Sequence, residues 1–133
     1  MVEYNLTATS LTTKREFPII VKADEAETTD DIVLSVYIDD VNISASNYGY
    51  FSAFQEIRDK LLQIGYGIKC AESKLNAVQS AMASATNKVY LTDLGKQAMS
   101  KDLICFFDYA DINEFPDTKE QSDYSGKWIK SLR

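Results

Sequence analysis

The fold is decided between residues 32 and 65, which read IVLSVYIDDVNISASNYGYFSAFQEIRDKLLQIG. Apolar and polar residues alternate within Ile32–Ile38 and again within Val41–Ile43, which is the period of a half-buried β-strand. The alternation shifts by one residue at Asp39-Asp40, so a bulge or a tight turn is expected there. The second half steps by four and three residues, which predicts an amphipathic helix. Its apolar stripe is Tyr50, Phe54, Ile57, Leu61 and Ile64.

Two strands are also predicted before this stretch. Alternation within Val2–Ala8 and within Phe17–Val21 places the apolar residues of each segment on one face. Pro18 has no backbone N–H to donate, which favours an edge position for the second of these strands. We therefore expect the N-terminal third of the chain to form an antiparallel sheet.

The remainder of the chain mixes helices and strands. Short strands are predicted at Tyr66–Cys70 and Val89–Leu91, and a short helix near Ser100–Tyr109. Asn76–Thr86 fits a helix and a loop equally well. Thr118, with Gln121 three residues later, forms a capping box that opens a C-terminal helix.

Together these patterns predict one α+β domain over residues 1–133. The domain is β-rich over residues 1–45 and mixed α/β over residues 46–133. Its N-terminal antiparallel strands form a sheet that is packed by one long central helix and a C-terminal helix. A chain of 133 residues is long enough to bury one hydrophobic core.

The composition excludes several kinds of active site. The chain has no histidine, which excludes Ser-His, Cys-His and His-metal arrangements. Cys70 and Cys105 are too few for a disulfide framework and match no metal-binding spacing. No apolar run approaches the roughly 18 residues of a membrane-spanning helix, and residues 1–10 lack the pattern of a signal peptide. We expect a cytoplasmic protein that uses no cofactor and contacts no membrane.

Acidic residues are concentrated in two runs. The chain carries 14 basic and 20 acidic residues, a formal net charge of −6, which argues against binding nucleic acid. Ala23–Ala45 holds seven acids and no base, and Asp102–Ser125 holds seven acids and one base. Both runs can be interpreted as solvated loops. The alternative is that they fold onto one surface and form an acidic field that selects a basic partner.

Such a surface is expected to carry aromatic anchors, because rigid aromatic side chains are enriched at the energetic centres of interfaces. The predicted partner-binding residues are Asp30, Asp31, Tyr37, Asp39, Asp40, Asp108, Tyr109 and Asp111. The lysines between Lys69 and Lys101 either contact an anion or balance these acids within the molecule.

Catalysis by these carboxylates has weaker support. Asp39-Asp40, or Asp108 with Asp111, could hold magnesium or perform general acid–base chemistry only if the fold brings the two side chains together. Cys105 lies in an apolar run and is expected to be buried and inert. Cys70, at a predicted strand end near Lys69, could be the more reactive thiol, but the sequence shows no base paired with it.

The last two thirds of the chain carries short segments in a characteristic order. They include Phe54-Gln55-Glu56-Ile57-Arg58, Gly65-Tyr66 with Cys70, Gly95-Lys96-Gln97-Ala98, Asp102-Leu103-Ile104, and Tyr124 with Trp128. This series resembles a family of small bacterial proteins from polymorphic-toxin neighbourhoods, although the sequence departs from the pattern after Cys70 and the first third has no counterpart. The wider class that it is similar to, the immunity proteins of toxin–immunity pairs, implies a compact acidic cytosolic protein without a known enzymatic activity.

The leading hypothesis is therefore an immunity protein, a non-enzymatic inhibitor of a bacterial toxin. The toxin is expected to be a basic nuclease domain delivered by contact-dependent or type VI secretion. One alternative is a regulatory or assembly module that binds another protein, or itself, through a strand edge near Phe17–Val21. A second alternative is a small metal-dependent enzyme that uses the carboxylates. The identity of the toxin and the oligomeric state are left open.

Overall fold

The N-terminal half of the chain forms a curled antiparallel sheet, as the alternating sequence predicts. We describe residues 1–79 and 88–133 of a computed structural model. The strands are β1 (Val2–Ser10), β2 (Glu16–Glu25), β3 (Ile32–Ile38), β4 (Val41–Asn47) and β5 (Tyr66–Ile68). They lie in the order β4-β3-β2-β1-β5. Hairpins join the first four, and β5 returns after a helix to pair with β1.

The predicted central helix, α1, spans Tyr50–Gln63 and covers one face of this sheet. Its buried residues include Phe54, Ile57 and Leu61 of the predicted stripe. They meet the alternate apolar side chains of the strands, among them Leu34 and Val36 of β3, in a single core cluster. Gly49 is the N-cap residue of α1, two residues after β4 ends at Asn47.

The predicted edge position of β2 is wrong at the level of strand order, because β2 lies between β1 and β3. The β2–β3 pairs end at Val21 with Val36, whereas the β1–β2 pairs continue as far as Glu16. Pro18 therefore lies where β2 pairs with β1 alone. Its missing N–H removes no bond to β3, which explains how a proline fits an inner strand.

A second, three-stranded sheet follows, with the order β6-β7-β8. Its strands are β6 (Ala77–Val78), β7 (Lys88–Leu91) and β8 (Leu103–Cys105). The helix predicted near Ser100–Tyr109 is wrong: a three-residue 3₁₀ turn, Ser100–Asp102, leads directly into β8. Leu103–Cys105 pair with β7 as a strand instead of forming a helix. The adjacent rings of Phe106 and Phe107 both contact the core, and their centroids are 4.3 Å apart.

Part of the ambiguous stretch Asn76–Thr86 is thus resolved as β6, while residues 80–87 lie outside the described part of the chain. The predicted C-terminal helix, α2, spans Thr118–Ser131. Its capping box is formed by Asp117 and Glu120, one residue earlier than predicted. Gln121 is consequently free to point inward, where it is buried.

Candidate functional site

The sheet buries only one of its faces over β1 to β4. On the opposite side, which we call the open face, the outward-facing side chains of these strands include Asn5, Ile20, Lys22, Ser35, Tyr37 and Asn42. Tyr37 is 66% exposed and Ile20 is 45% exposed. Near β5 the same side of the sheet is covered, since a Cβ atom added to Gly67 would lie 2.6 Å from the Phe115 ring. The open face is therefore a partly apolar surface without a cover among the described residues.

A groove of about 610 Å³ crosses the open face between β2 and β3. It lies beyond the last pair, Val21 with Val36, where the two hairpins diverge. Pro18, Ile20 and Tyr37 form its apolar wall, and Lys22 lines it on the side of the continuing β2–β3 pairs. The groove thus has an apolar wall with a cation on one side.

The turn between β3 and β4 lies beside Tyr37. Asp39 and Asp40 form a two-residue turn with φ values of 53° and 61°, so the tight turn expected from the sequence is confirmed. Such positive φ values suit the two central residues of a type I′ hairpin turn, where Asn-Gly is preferred over Asp-Asp. The hydroxyl of Tyr37 donates a hydrogen bond of 3.3 Å to Oδ1 of Asp40. Both carboxylates are exposed, and no ion pair among the described residues includes them.

Asp30 and Asp31 lie at the other end of β3, in the turn that joins it to β2. A strand of seven residues separates them from Asp39 and Asp40, a span of about 23 Å at roughly 3.3 Å per residue. The first acidic run is therefore divided between the two ends of one strand and does not form one cluster.

Three predicted residues from the second acidic run lie beside β5. Tyr109 forms an isolated bridge with Cys70, and the carbonyl of Asp108 accepts a hydrogen bond from the Ala71 amide at 2.8 Å. Asp111 binds Lys69 at 3.0 Å, and Lys69 also contacts Glu16 at 3.1 Å. Asp111 is therefore paired within the molecule.

The structure brings Tyr37, Asp39 and Asp40 together. It places Asp30 and Asp31 at the far end of the same strand, and Asp108, Tyr109 and Asp111 beside β5. Among the lysines between Lys69 and Lys101, Lys69 pairs with Glu16 and Asp111 within the molecule, which was one of the two interpretations considered. The hydrogen bonds that Lys69 donates to Asp111 and Glu16 raise its pKa.

Sequence reasoning missed Pro18 and Ile20 as parts of the groove. Ile20 is apolar but lies on the polar phase of β2, together with Glu16 and Lys22. An apolar residue on the solvent phase of a strand is a usable signal, because it is exposed if nothing covers that face. The groove itself could not be predicted from the sequence, because it forms where β2 and β3 stop pairing.

A buried polar cluster behind α1 was also missed. The side-chain amide of Gln121 donates to the carbonyl oxygens of Glu72 and Lys74 at 2.7 and 2.8 Å, and its oxygen accepts from Arg58 Nη2 at 2.8 Å. This one side chain joins α2 to α1 and to the 3₁₀ turn Ala71–Ser73. The cluster has a clear structural role in docking α2.

Glu72 is the unusual member of this cluster. It is fully buried, and neither carboxylate oxygen has a hydrogen-bond partner among residues 1–79 and 88–133. Nη1 of Arg58 likewise has none. Burial raises the pKa of Glu72 well above its ordinary value, and the positive charge of Arg58 opposes that shift only in part. Glu72 is thus an acid whose folded environment favours the neutral form.

The expected order of thiol reactivity is wrong. Cys70 is fully buried, and burial raises the pKa of its thiol to about 12, so it has little thiolate at neutral pH. Cys105 is only partly buried. Within residues 1–79 and 88–133, no group of three or more His, Cys, Asp or Glu side chains is arranged to hold a metal ion.

No family model matches the chain, and no curated protein matches it significantly. The resemblance to immunity proteins therefore stays a prediction. None of the described helices is long and apolar enough to cross a membrane.

Proposed function

We propose that this protein is a non-enzymatic immunity protein that binds and neutralises a bacterial toxin, expected to be a basic nuclease domain. The observation that carries the proposal is the open face of the sheet, which exposes Tyr37 and Ile20 between two acidic turns. An uncovered sheet face with aromatic and aliphatic side chains is a typical surface for a protein partner.

The dimensions of the open face suit one protein interface. A standard interface buries roughly 800 Å² on each partner, which corresponds to a patch about 30 Å across. The turns with Asp30-Asp31 and with Asp39-Asp40 lie about 23 Å apart along β3. A single partner of ordinary size can therefore contact the exposed apolar centre and both acidic turns.

The charge of this surface supports a cationic partner. Asp39 and Asp40 form no ion pair among the described residues, so their charges are available to a second molecule. Nuclease domains carry lysine and arginine to hold phosphates, and carboxylates can occupy those groups instead. Charge complementarity of this kind raises the association rate and selects the partner.

The test begins with co-expression of the gene product encoded immediately upstream. We expect a host that otherwise dies to survive, and the two proteins to purify together. A host that dies in spite of abundant folded protein, together with absence of a complex, contradicts the proposal.

Charge variants then locate the interface on the isolated complex. Asp39→Asn/Asp40→Asn keeps a residue that tolerates positive φ but removes two charges, and we expect association at low salt to slow roughly threefold to tenfold. The control is Asp93→Asn/Asp123→Asn, which removes two exposed charges from the region of α2, one of them (Asp123) paired with Lys119 at 3.0 Å. An equal effect of both pairs would mean that only net charge matters and would remove the open face from the proposal.

A further inference from the structure

Tyr37, whose exposed ring lines the groove on the open face, contacts the carboxylate of Asp40, which lies outside the lining of the groove. The Tyr37 hydroxyl donates to Asp40 at 3.3 Å, which holds the carboxylate at the edge of the ring. The ring is 66% exposed and lines the groove, so one of its faces is accessible from that side. A flat cation lying over this face would therefore have a carboxylate within reach.

We propose that this groove binds an arginine side chain of a partner protein, with its guanidinium stacked on Tyr37 and paired with Asp40. This inference rests on the proposed function and names the group that the open face recognises. Guanidinium is planar, so it can stack on an aromatic ring and direct its N–H groups at a carboxylate in the same plane. Lysine offers a compact ammonium that cannot do both equally well.

The rest of the groove fits the remainder of an arginine side chain. Pro18 and Ile20 provide apolar surface for its methylene groups. Lys22 also lines the groove, next to the continuing β2–β3 pairs and opposite Glu3 on β1. Its ammonium disfavours a second cation at that side, so the guanidinium is directed towards the β3–β4 turn.

The turn itself presents the carboxylate without competition. Asp39 and Asp40 are both exposed and take part in no ion pair of the described residues. The carboxylate of Asp40 accepts one long hydrogen bond from Tyr37, which leaves its other oxygen open to a donor.

The experiment uses three blocked tetrapeptides that contain one arginine, one lysine or one citrulline in the same context. Each is titrated to about 10 mM into the ¹⁵N-labelled full chain, since one exposed cation–π contact with an ion pair supports only weak binding. We expect the arginine peptide to shift the amide resonances of Ile20, Tyr37 and Asp40. Citrulline keeps the shape of arginine without its charge and should not shift them.

Variants assign the two contacts. Tyr37→Leu removes the aromatic face and Asp40→Asn removes the charge, and each should weaken arginine-peptide binding about two- to fivefold. Asp93→Asn, at an exposed site near α2, is the control and should leave binding unchanged. Equal shifts with citrulline or lysine, or unaltered binding by both groove variants, would overturn the proposal.

Failure of the inference is separable from failure of the proposed function. If the upstream product is neutralised but the arginine peptide leaves the groove resonances unshifted, the assignment of the groove is overturned alone. If the peptide binds as expected but no host is rescued, the groove is supported as a guanidinium site and the immunity function is contradicted.

Discussion

The two faces of the N-terminal sheet are built by the same strands, yet they differ in what their side chains contact. The core face carries Leu34 and Val36 against Phe54 of α1, and all three are buried. The open face carries Tyr37 and Ile20, which are 66% and 45% exposed. Because neighbouring residues of a strand point to opposite faces, each residue serves one face only. Folding stability and the proposed partner binding thereby depend on different residues of the same strand.

Substitutions on the core face should reduce stability most. Phe54→Ala should lower the free energy of unfolding by about 3–5 kcal/mol, because it leaves a cavity beside Phe106 and Phe107. Tyr37→Ala, on the open face, should change it by less than about 0.5 kcal/mol. Urea denaturation measures both values. A comparable loss in the two variants would show that the open face also contributes to the core.

The second prediction concerns Glu72, the buried acid of the 3₁₀ turn Ala71–Ser73. Burial raises the pKa of Glu72 above the ordinary value of 4.5. Above pH 4.5 the unfolded chain therefore loses this proton before the folded chain does, and the contribution of Glu72 to stability falls as pH rises towards the folded pKa. Glu72→Gln removes this loss. We expect the variant to exceed the original protein in stability at pH 7 and to lose that advantage near pH 4.

The measurement is urea denaturation of both proteins across this pH range. Glu114→Gln is the matched control, because Glu114 is exposed and the same chemical change is made there. A constant difference between Glu72→Gln and the original protein at every pH would contradict a raised pKa in the folded state.

The smallest change in stability is expected from a substitution in the β3–β4 turn. Asp40→Gly relieves an L-residue at φ 61°, a strain of about 1 kcal/mol, while it increases the entropy of the unfolded chain. The net gain in the free energy of unfolding should be roughly 0.5 kcal/mol. The same change removes the carboxylate, so the rate of association with the proposed toxin should fall. Thermal denaturation and stopped-flow association measure the two quantities, and faster association in a more stable variant would contradict the separation of the faces.

Periodic patterns predicted most of the elements. The strands around Asp39-Asp40 and the helix with Phe54 were both confirmed, because alternation and helical spacing report burial on one face directly. The predicted helix near Ser100–Tyr109 was wrong because its apolar residues are equally suited to a strand. Leu103–Cys105 form a strand because they pair with β7, whose residues lie 13 to 17 positions earlier in the chain.

The candidate site was predictable only in part. Tyr37 beside two aspartates was visible in the sequence, and the structure brings these three residues together. Asp111 was also predicted as a charge donor to a partner, yet it pairs with Lys69, 42 residues away in the chain. Composition reveals how many carboxylates a segment holds but not which of them find a cation within the fold.

The sequence by itself determined the side of each strand to which a residue belongs, the position of the tight turn and the helical stripe. These are local properties, set by dihedral angles and by spacings of two to four residues. Tertiary structure alone decided the strand order, the groove where β2 leaves β3, and the burial of Glu72 beside Arg58. Each of these depends on contacts between residues far apart in the chain, whose free energies are not encoded in any single short segment.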